Sequence, residues 1–290
     1  MSCVLTFRAY FLNVGNGDCT IVELPDGTIM VVDLRNARMN LRDANADFEN
    51  PISYLAGIGA TSVFRYVQTH PDMDHMDGLS DLSRKFVIHN FWDTKNTRKK
   101  PEEFSHGFRE EDWDAYQKLR QAAKFYDRDL NFKCGQYPYD IYVLSPSGGL
   151  IRQANASDDW NLLSYVIFLE YKGFKLVLGG DASDSAWADI YDWVIHDPKA
   201  KQLLTSVTVF KTSHHGRDSS YCGAEMLELM QPQKIVISKG QVDSGQSAYG
   251  KYYSWSGGAK NMFLTSQGTV VARYHDVQKR EYSIQYANNR

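Results

Sequence analysis

Short apolar runs alternate with glycine-, proline- and asparagine-containing breaks along most of this chain, the pattern of strands joined by tight turns. Val4 to Val14 is apolar and rich in β-formers, and Gly15-Asn16-Gly17-Asp18 then turns the chain. Cys19 to Leu24 follows as a strand, Pro25-Asp26-Gly27 turns again, and Thr28 to Asp33 makes a third strand. Together they predict a β-meander with turn chemistry at each joint. Asn50 to Ile58 reads as a helix, and Ser62 to Gln68 as a buried strand running into Thr69-His70.

The stretch from Asp93 to Asn131 changes character. It is charged and aromatic, and Trp113, Tyr116, Leu119 and Ala123 recur at helical spacing, which predicts a helix over Glu110 to Tyr126. Residues 90–135 read as an insertion lying over the site, inside a single domain spanning 1–290. Strands then return at Tyr139 to Leu144, Ser164 to Tyr171, Lys175 to Leu178, Val207 to Lys211, Lys234 to Ser238 and Thr269 to Tyr274. Helices are predicted over Ser185 to Ile195 and Ala224 to Met230. Tyr249, Tyr252, Tyr253 and Trp255 lie in a Gly- and Ser-rich segment read as a loop, either contacting substrate or forming a packed aromatic corner. Strands and helices repeating in two halves predict an α/β protein, a four-layer αββα sandwich with helices outside two central sheets.

Length and composition agree with one soluble, globular domain: 290 residues, 43% hydrophobic and 23% charged, with no repeat or low-complexity tract. The apolar runs are too short and too often charged to span a bilayer. The segment Met1 to Arg8 lacks the basic start and long apolar core of a secretory leader, so the expected location is cytoplasmic, with no membrane partner. Cys3, Cys19, Cys134 and Cys222 form no close pair; they read as reduced packing residues, neither a disulfide framework nor a thiolate metal site. A formal net charge of −3 gives no general attraction to polyanions. Any nucleic acid would need a local patch, for which Lys95 to Lys100, with Arg98 and Lys99, is the candidate; a solvated loop is the alternative.

The chemistry concentrates in Thr69-His70-Pro71-Asp72-Met73-Asp74-His75-Met76-Asp77-Gly78, directly after an apolar strand. Pro71 disfavours a regular helix, and a loop there can turn several side chains toward one point. Imidazole and carboxylate together suit divalent first-row metals. Two later clusters also follow apolar strands: Gly179-Gly180-Asp181 and Thr212-Ser213-His214-His215-Gly216. Taken alone, Asp181 could cap the following helix, and either histidine could be an ordinary satisfied polar residue. Three clusters in this order are far more specific.

These segments resemble the metallo-β-lactamase superfamily, whose signature is His-x-His-x-Asp-His followed by a later Asp and His. Within it the chain is most similar to the ComEC/Rec2-type competence hydrolase domain. Phe11 to Asp18, His70 to Gly78, Asn161-Leu162-Leu163-Ser164 running into Gly179-Gly180-Asp181, and His214-His215-Gly216 carry that match. The resemblance implies two divalent ions, zinc or manganese. It assigns His70 and Asp72 to a first ion, and Asp74, His75 and one of His214 or His215 to a second, with Asp181 bridging. His214 is the favoured ligand, leaving His215 to donate a proton or contact phosphate, with Asp74 also in a catalytic role.

Two departures from the broad superfamily pattern matter. Asp72 stands where histidine is common, and no histidine falls between Gly107 and Ile195 to complete the first site. Asn161 or Ser164 could fill that place. An oxygen-rich site makes Mn²⁺ plausible beside Zn²⁺. Asp18 and Asp33 are each either support for the ligands or local turn formers, and Lys211 joins Asp18 as a supporting or substrate-contacting group.

The function implied is metal-dependent hydrolysis, first of a phosphodiester or nucleic acid. Phe91 and Trp92 are candidates to stack bases beside the basic run. The alternatives are a small-molecule hydrolase acting on a cyclic nucleotide, phosphonate ester or lactone, and a metal-stabilised partner protein without turnover. The departures are not those of the lactamases, so β-lactams are not the expected substrate. The sequence identifies no protein partner.

Overall fold

A computed structural model describes residues 7–36, 48–102, 104, 107–128, 137–239, 246–276 and 281–287. Cys3, Cys134, the start of the Val4–Val14 run and part of the 90–135 segment lie outside them.

The predicted meander is present. Strands β1 (Phe7–Phe11), β2 (Thr20–Glu23) and β3 (Ile29–Val32) pair antiparallel in sequence order. Helix α1 (Pro51–Gly57) then crosses over, so β4 (Val63–Val67) returns parallel to β3. Asn50 starts α1, its side-chain oxygen accepting from the amides of Ile52 at 3.0 Å and Ser53 at 2.9 Å. Helix α2 (Leu79–Lys85) leads to β5 (Ile88–Asp93), parallel to β4.

The helix expected over Glu110 to Tyr126 ends early. It forms as α3 (Glu110–Arg120), and Lys124–Phe125 instead make β6, pairing with β5. Its Trp113 and Tyr116 are buried and do belong to one apolar face, packed against Phe91 and the α2 side. Phe91 and Trp92 are also buried, Phe91 stacking on Tyr66 and Trp92 lying under the Arg65 guanidinium. The strand pairing of β5 turns both inward, so neither presents a face to a nucleic-acid base.

The second sheet contains β7 (Asp140–Ser145), β8 (Val166–Tyr171), β9 (Phe174–Leu178), β10 (Val209–Lys211), β11 (Lys234–Ile237) and β12 (Met262–Leu264). Helices α4 (Gly148–Ser157), α5 (Asp184–His196), α6 (Pro198–Leu204), α7 (Ala224–Met230) and α8 (Tyr249–Ser256) accompany it. The segment read as an aromatic loop is therefore α8. Its Tyr252 packs inward among Phe210 and Tyr221, while Tyr253 stays exposed. The final strands, β13 (Val270–Asp276) and β14 (Glu281–Tyr286), rejoin the first sheet beside β1.

Among the described residues the sheets run β14-β13-β1-β2-β3-β4-β5-β6 and β12-β11-β10-β9-β8-β7. Three apolar cores separate four layers. Ile52, Leu55, Leu82 and Trp113 cover one side of the first sheet. Phe11, Val67, Ile167, Leu178 and Val236 fill the space between sheets, and Trp187, Ile190, Leu227 and Tyr252 cover the far side of the second. This is the αββα sandwich expected from the sequence, with each sheet buried on both faces.

No helix among the described residues is long and apolar enough to cross a membrane. Cys19 and Cys222 are free and buried, as their spacing predicted.

Asn50→Ala removes two hydrogen bonds from the start of α1 and should cost about 1 kcal/mol of stability. Urea unfolding should show a lower midpoint with an unchanged slope; an unshifted midpoint would mean that α1 contributes nothing to the cooperative unit.

Candidate metal centre

The ends of parallel strands set the site. β3 and β4 run side by side, and the Asp33 amide bonds the Val67 carbonyl at 2.9 Å. The loop after β4 therefore begins next to Asp33. In the second sheet, β9, β10 and β11 run parallel and deliver Asp181, the His214-His215 pair and Ser238 at their carboxyl ends. Such ends are where open α/β sheets place ligand sites, because the connecting loops diverge there.

Backbone hydrogen bonds join the two sets of loops. Tyr165 donates to the Thr69 carbonyl at 2.9 Å, and His214 to the Gly180 carbonyl at 3.0 Å. Gly180 has φ +52°, and a Cβ there would meet Ser164 Oγ at 2.6 Å and the Tyr165 carbonyl at 2.7 Å. Only glycine fits this approach. Ser164 Oγ accepts from the Asp181 amide at 2.9 Å and so holds the turn. Asn161 sits in the short turn Trp160–Leu163 just before, with a buried Oδ1 that makes no hydrogen bond.

Seven of the sequence-predicted side chains converge. Nε2 of His75 lies 3.2 Å from Oδ2 of Asp181, and the same oxygen is 3.7 Å from His214 Nε2 and 3.8 Å from His215 Nε2. Nε2 of His70 is 3.3 Å from Asp72 Oδ2, and Asp74 Oδ2 is 4.0 Å from His75 Nε2. Two groups have all their donor atoms within 4.8 Å of one another: His70, His75 and Asp181; and Asp74, His75 and His215. His214, the histidine favoured from sequence, belongs to neither group. It is His215, on the deeper side of the same turn, that aligns with Asp74 and His75. Asp181 does not cap the next helix either, since Ser183 holds the α5 N-terminus through the Ala186 amide.

The imidazoles are oriented by acceptors on their other nitrogens. His75 Nδ1 meets Asp33 Oδ2 at 2.7 Å, and His215 Nδ1 meets the Ser238 carbonyl at 3.2 Å. A carboxylate and a carbonyl can only accept, so each ring is protonated at Nδ1. Thr69 Oγ1 donates to Asp33 Oδ2 at 2.7 Å and can accept from His70 Nδ1 at 3.0 Å. When neutral, a ring in this tautomer points a lone pair on Nε2 into the cleft. The Nε2 atoms of His70, His75 and His215 and Oδ1 of Asp181 are buried and make no hydrogen bond. Buried polar atoms without partners are costly, and four directed at one place fit a bound cation. Mixed imidazole and carboxylate donors suit a divalent first-row ion.

The electrostatics agree. Burial alone would raise the Asp181 carboxyl, yet His75, His215 and His214 hold it well below the ordinary carboxylate range. Burial opposes charge on His75, but Asp181, Asp33 and Asp74 draw it well above the usual imidazole value. A proton and a metal ion would compete for that same Nε2. Burial pushes His70 and His215 down to about 4, so both remain neutral donors near pH 7.

Asp18 and Lys211 form a buried ion pair, and Ser238 Oγ donates to Asp18 Oδ1 at 3.2 Å. Asp18 thus braces the strand end that orients His215, and neither it nor Lys211 appears in a donor group. Burial lowers the Lys211 ammonium, while direct contact with Asp18 favours its charged form. Sequence reasoning missed Thr69, Ser220 and Ser238. Thr69 adjoins a ligand and could have been suspected, whereas nothing in the sequence marks Ser238, which acts through its backbone carbonyl.

The basic run is largely paired. Arg98 binds Asp72, Lys100 binds Glu110 and Asp114, and Lys95 reaches Asp127 at 4.0 Å. It is a set of intramolecular contacts more than a free cationic patch.

No protein-family model and no curated relative matches the chain. Solved structures do. A possible metal-dependent hydrolase from Veillonella parvula aligns with TM-score 0.51 at 12% identity, over 90% of this chain and 96% of that one. A mutant of the CmlA β-hydroxylase aligns with TM-score 0.51 at 11% identity, over 89% of this chain and 52% of that one. The Bacillus subtilis protein YhfI, described as having a metallo-β-lactamase fold, aligns with TM-score 0.47 at 9% identity, over 89% of this chain and 96% of that one. The αββα layer order and strand arrangement described above are what the chain shares with the two structures at TM-score 0.51. At such identities the likeness concerns fold alone.

Asp33 has φ 56°, a left-handed conformation that asparagine also tolerates, so Asp33→Asn should keep the backbone while weakening the grip on His75. Metal affinity should fall by roughly 10–100-fold, read by competition with a chromophoric chelator. Unchanged affinity would show that Asp33 does not orient a ligand.

Proposed function

We propose that the protein is a metal-dependent hydrolase whose substrate is a phosphodiester. The observation that carries this reading is the convergence of the buried Nε2 atoms of His70, His75 and His215 with the carboxylates of Asp74 and Asp181. Asp74, His75, His215 and Asp181 would hold the better-furnished ion, and His70, Asp72 and Asp181 the leaner one. Divalent ions there would supply a water of near-neutral acidity and neutralise charge growing on a phosphoryl oxygen, with Zn²⁺ or Mn²⁺ suited to the donors.

The protein's own groups do the rest. Asp33 and the Ser238 carbonyl fix two imidazoles before substrate arrives, which removes reorganisation from the reaction. His214 lies at the rim of the site, with its Nδ1 against Ser220 Oγ at 3.2 Å and Nε2 toward Asp181. It is placed to carry a proton toward a leaving group. Asp72 and Asp74 are partly exposed, so the cleft opens on their side and substrate would approach there.

Within phosphodiesters, the internal pairing of Lys95, Arg98 and Lys100 and the burial of Phe91 and Trp92 favour a small substrate over a long strand. Little free positive charge remains beside the loop to hold successive phosphates.

Metal-stripped protein should be inactive on bis(p-nitrophenyl) phosphate and regain turnover with Zn²⁺ or Mn²⁺. Asp74→Ala should lose the ion at its position together with turnover; near-normal turnover by the stripped variant would eliminate the metal-dependent reading. Comparison with a DNA strand tests the finer choice. A small diester should be the better substrate, and changing Lys95, Lys99 and Lys100 to Ala should leave the salt dependence of strand binding unchanged. A fall in salt slope of about one unit per lysine would restore the polymer reading.

A further inference from the structure

Asp72, the carboxylate assigned above to the leaner ion position, already has a cationic partner within the chain. Asp72 Oδ1 is bound by the Arg98 guanidinium, while its Oδ2 faces His70. Arg98 is no loose surface side chain, being only 20% exposed. The segment carrying it is clamped on both sides. Thr97 donates to Asn155 Oδ1 on α4 through its amide at 2.7 Å and its hydroxyl at 2.9 Å. Asn155 Nδ2 returns a bond to the Lys95 carbonyl at 2.8 Å, and Asn96 Nδ2 reaches the Tyr116 hydroxyl of α3 at 2.9 Å. The guanidinium is thus delivered to Asp72 by an ordered strap between two helices.

We infer that Arg98 stands in for the second cation: it holds Asp72 and keeps the His70–Asp72 position weak, so the resting protein binds one ion tightly and a second poorly. This rests on the metal-dependent reading above. A guanidinium bound to a carboxylate already satisfies much of that group's charge, and a divalent ion drawing on the same carboxylate must compete with it and bear its repulsion. The other position suffers no such competition. Among the described residues no arginine or lysine lies within ion-pair distance of Asp74 or Asp181, and the direct partners are histidines. Arg35 is paired with Asp77 and reaches Asp74 only through its longer-range field. The absence of a third histidine compounds the difference, since the His70 side has fewer donors to offset the loss of one carboxylate.

The test is equilibrium dialysis of the whole chain against Mn²⁺, with bound ion per chain read by atomic emission. The wild-type chain should bind one ion tightly and a second at least about tenfold more weakly. Arg98→Met, which keeps an unbranched apolar stem and removes the charge, should tighten the second ion by roughly 10–100-fold, the range seen when groups behind metal ligands are changed. Arg98→Lys keeps a cation but loses the fork, and should fall between the two. Arg98→Met combined with Asp72→Asn should lose the gain. Two ions of equal affinity in the wild-type chain would overturn the inference and leave the metal centre standing. So would a second ion that stays weak in both Arg98→Met and Arg98→Lys. No bound ion in any variant would remove the metal-dependent reading, and this inference with it.

Discussion

His75 is held between two buried carboxylates that belong to different sheets. Its Nδ1 meets Asp33 at the end of β3, and its Nε2 lies 3.2 Å from Asp181 at the end of β9. The rest of the cleft follows from that bridge. Asp33 also takes the Thr69 amide and hydroxyl, which sets the start of the loop carrying His70 and Asp72. Asp181 draws in His214 and His215 from the turn after β10. A charged cluster this deep tolerates no loose member, because each buried group without a partner costs free energy that apolar packing must offset.

The two glycines before Asp181 are the backbone's part of the same constraint. A Cβ on Gly179 would collide with Ser213 Oγ, and one on Gly180 with Ser164 Oγ and the Tyr165 carbonyl. The Asp181 turn must press against both neighbouring loops to bring its carboxylate to His75. Ser164 and Ser213 are buried beneath it, and Ser213 Oγ bonds both the Gly179 carbonyl and the Trp187 indole at 2.9 Å. The ligand turn is thereby anchored to α5 and to the apolar core under the second sheet.

Much of this was legible before any coordinates. The strand rhythm located the meander, β4, β7 to β11 and β13, because alternation and turn residues are local signals. The three clusters holding His70 to His75, Asp181 and His214-His215 were legible because strand ends followed by ligand-type residues are a pattern in themselves. What stayed hidden depends on tertiary contacts. Helix α3 stops at Arg120, although Ala123 continues its spacing, because Lys124 and Phe125 find a strand partner in β5. Helix α8 looked like a loop because Gly250 and its serines carry weak helix propensity, which packing of Tyr252 overrides. Which of His214 and His215 faces Asp74 and His75 could not be read from adjacency. It depends on backbone turning at two successive residues in the left-handed region, at φ 46° and 57°.

The asymmetry of the centre comes from the same division between near and distant sequence. The donors around His75 come from both sheets, and the rings of His75 and His215 are fixed by buried acceptors. Asp72 sits on the open side, where its orientation depends on Arg98 from the segment after β5. In sequence that segment looked like a cationic surface for a polymer. In the fold its charges turn back on the protein, toward Asp72, Glu110, Asp114 and Asp127. Of the basic run, Lys95, Arg98 and Lys100 have acidic partners within the chain, which lowers the charge free to meet a polyanion. At the mouth of the cleft Asp72, Asp74 and His214 are the partly exposed groups, and the Arg98 guanidinium adds its positive charge beside Asp72.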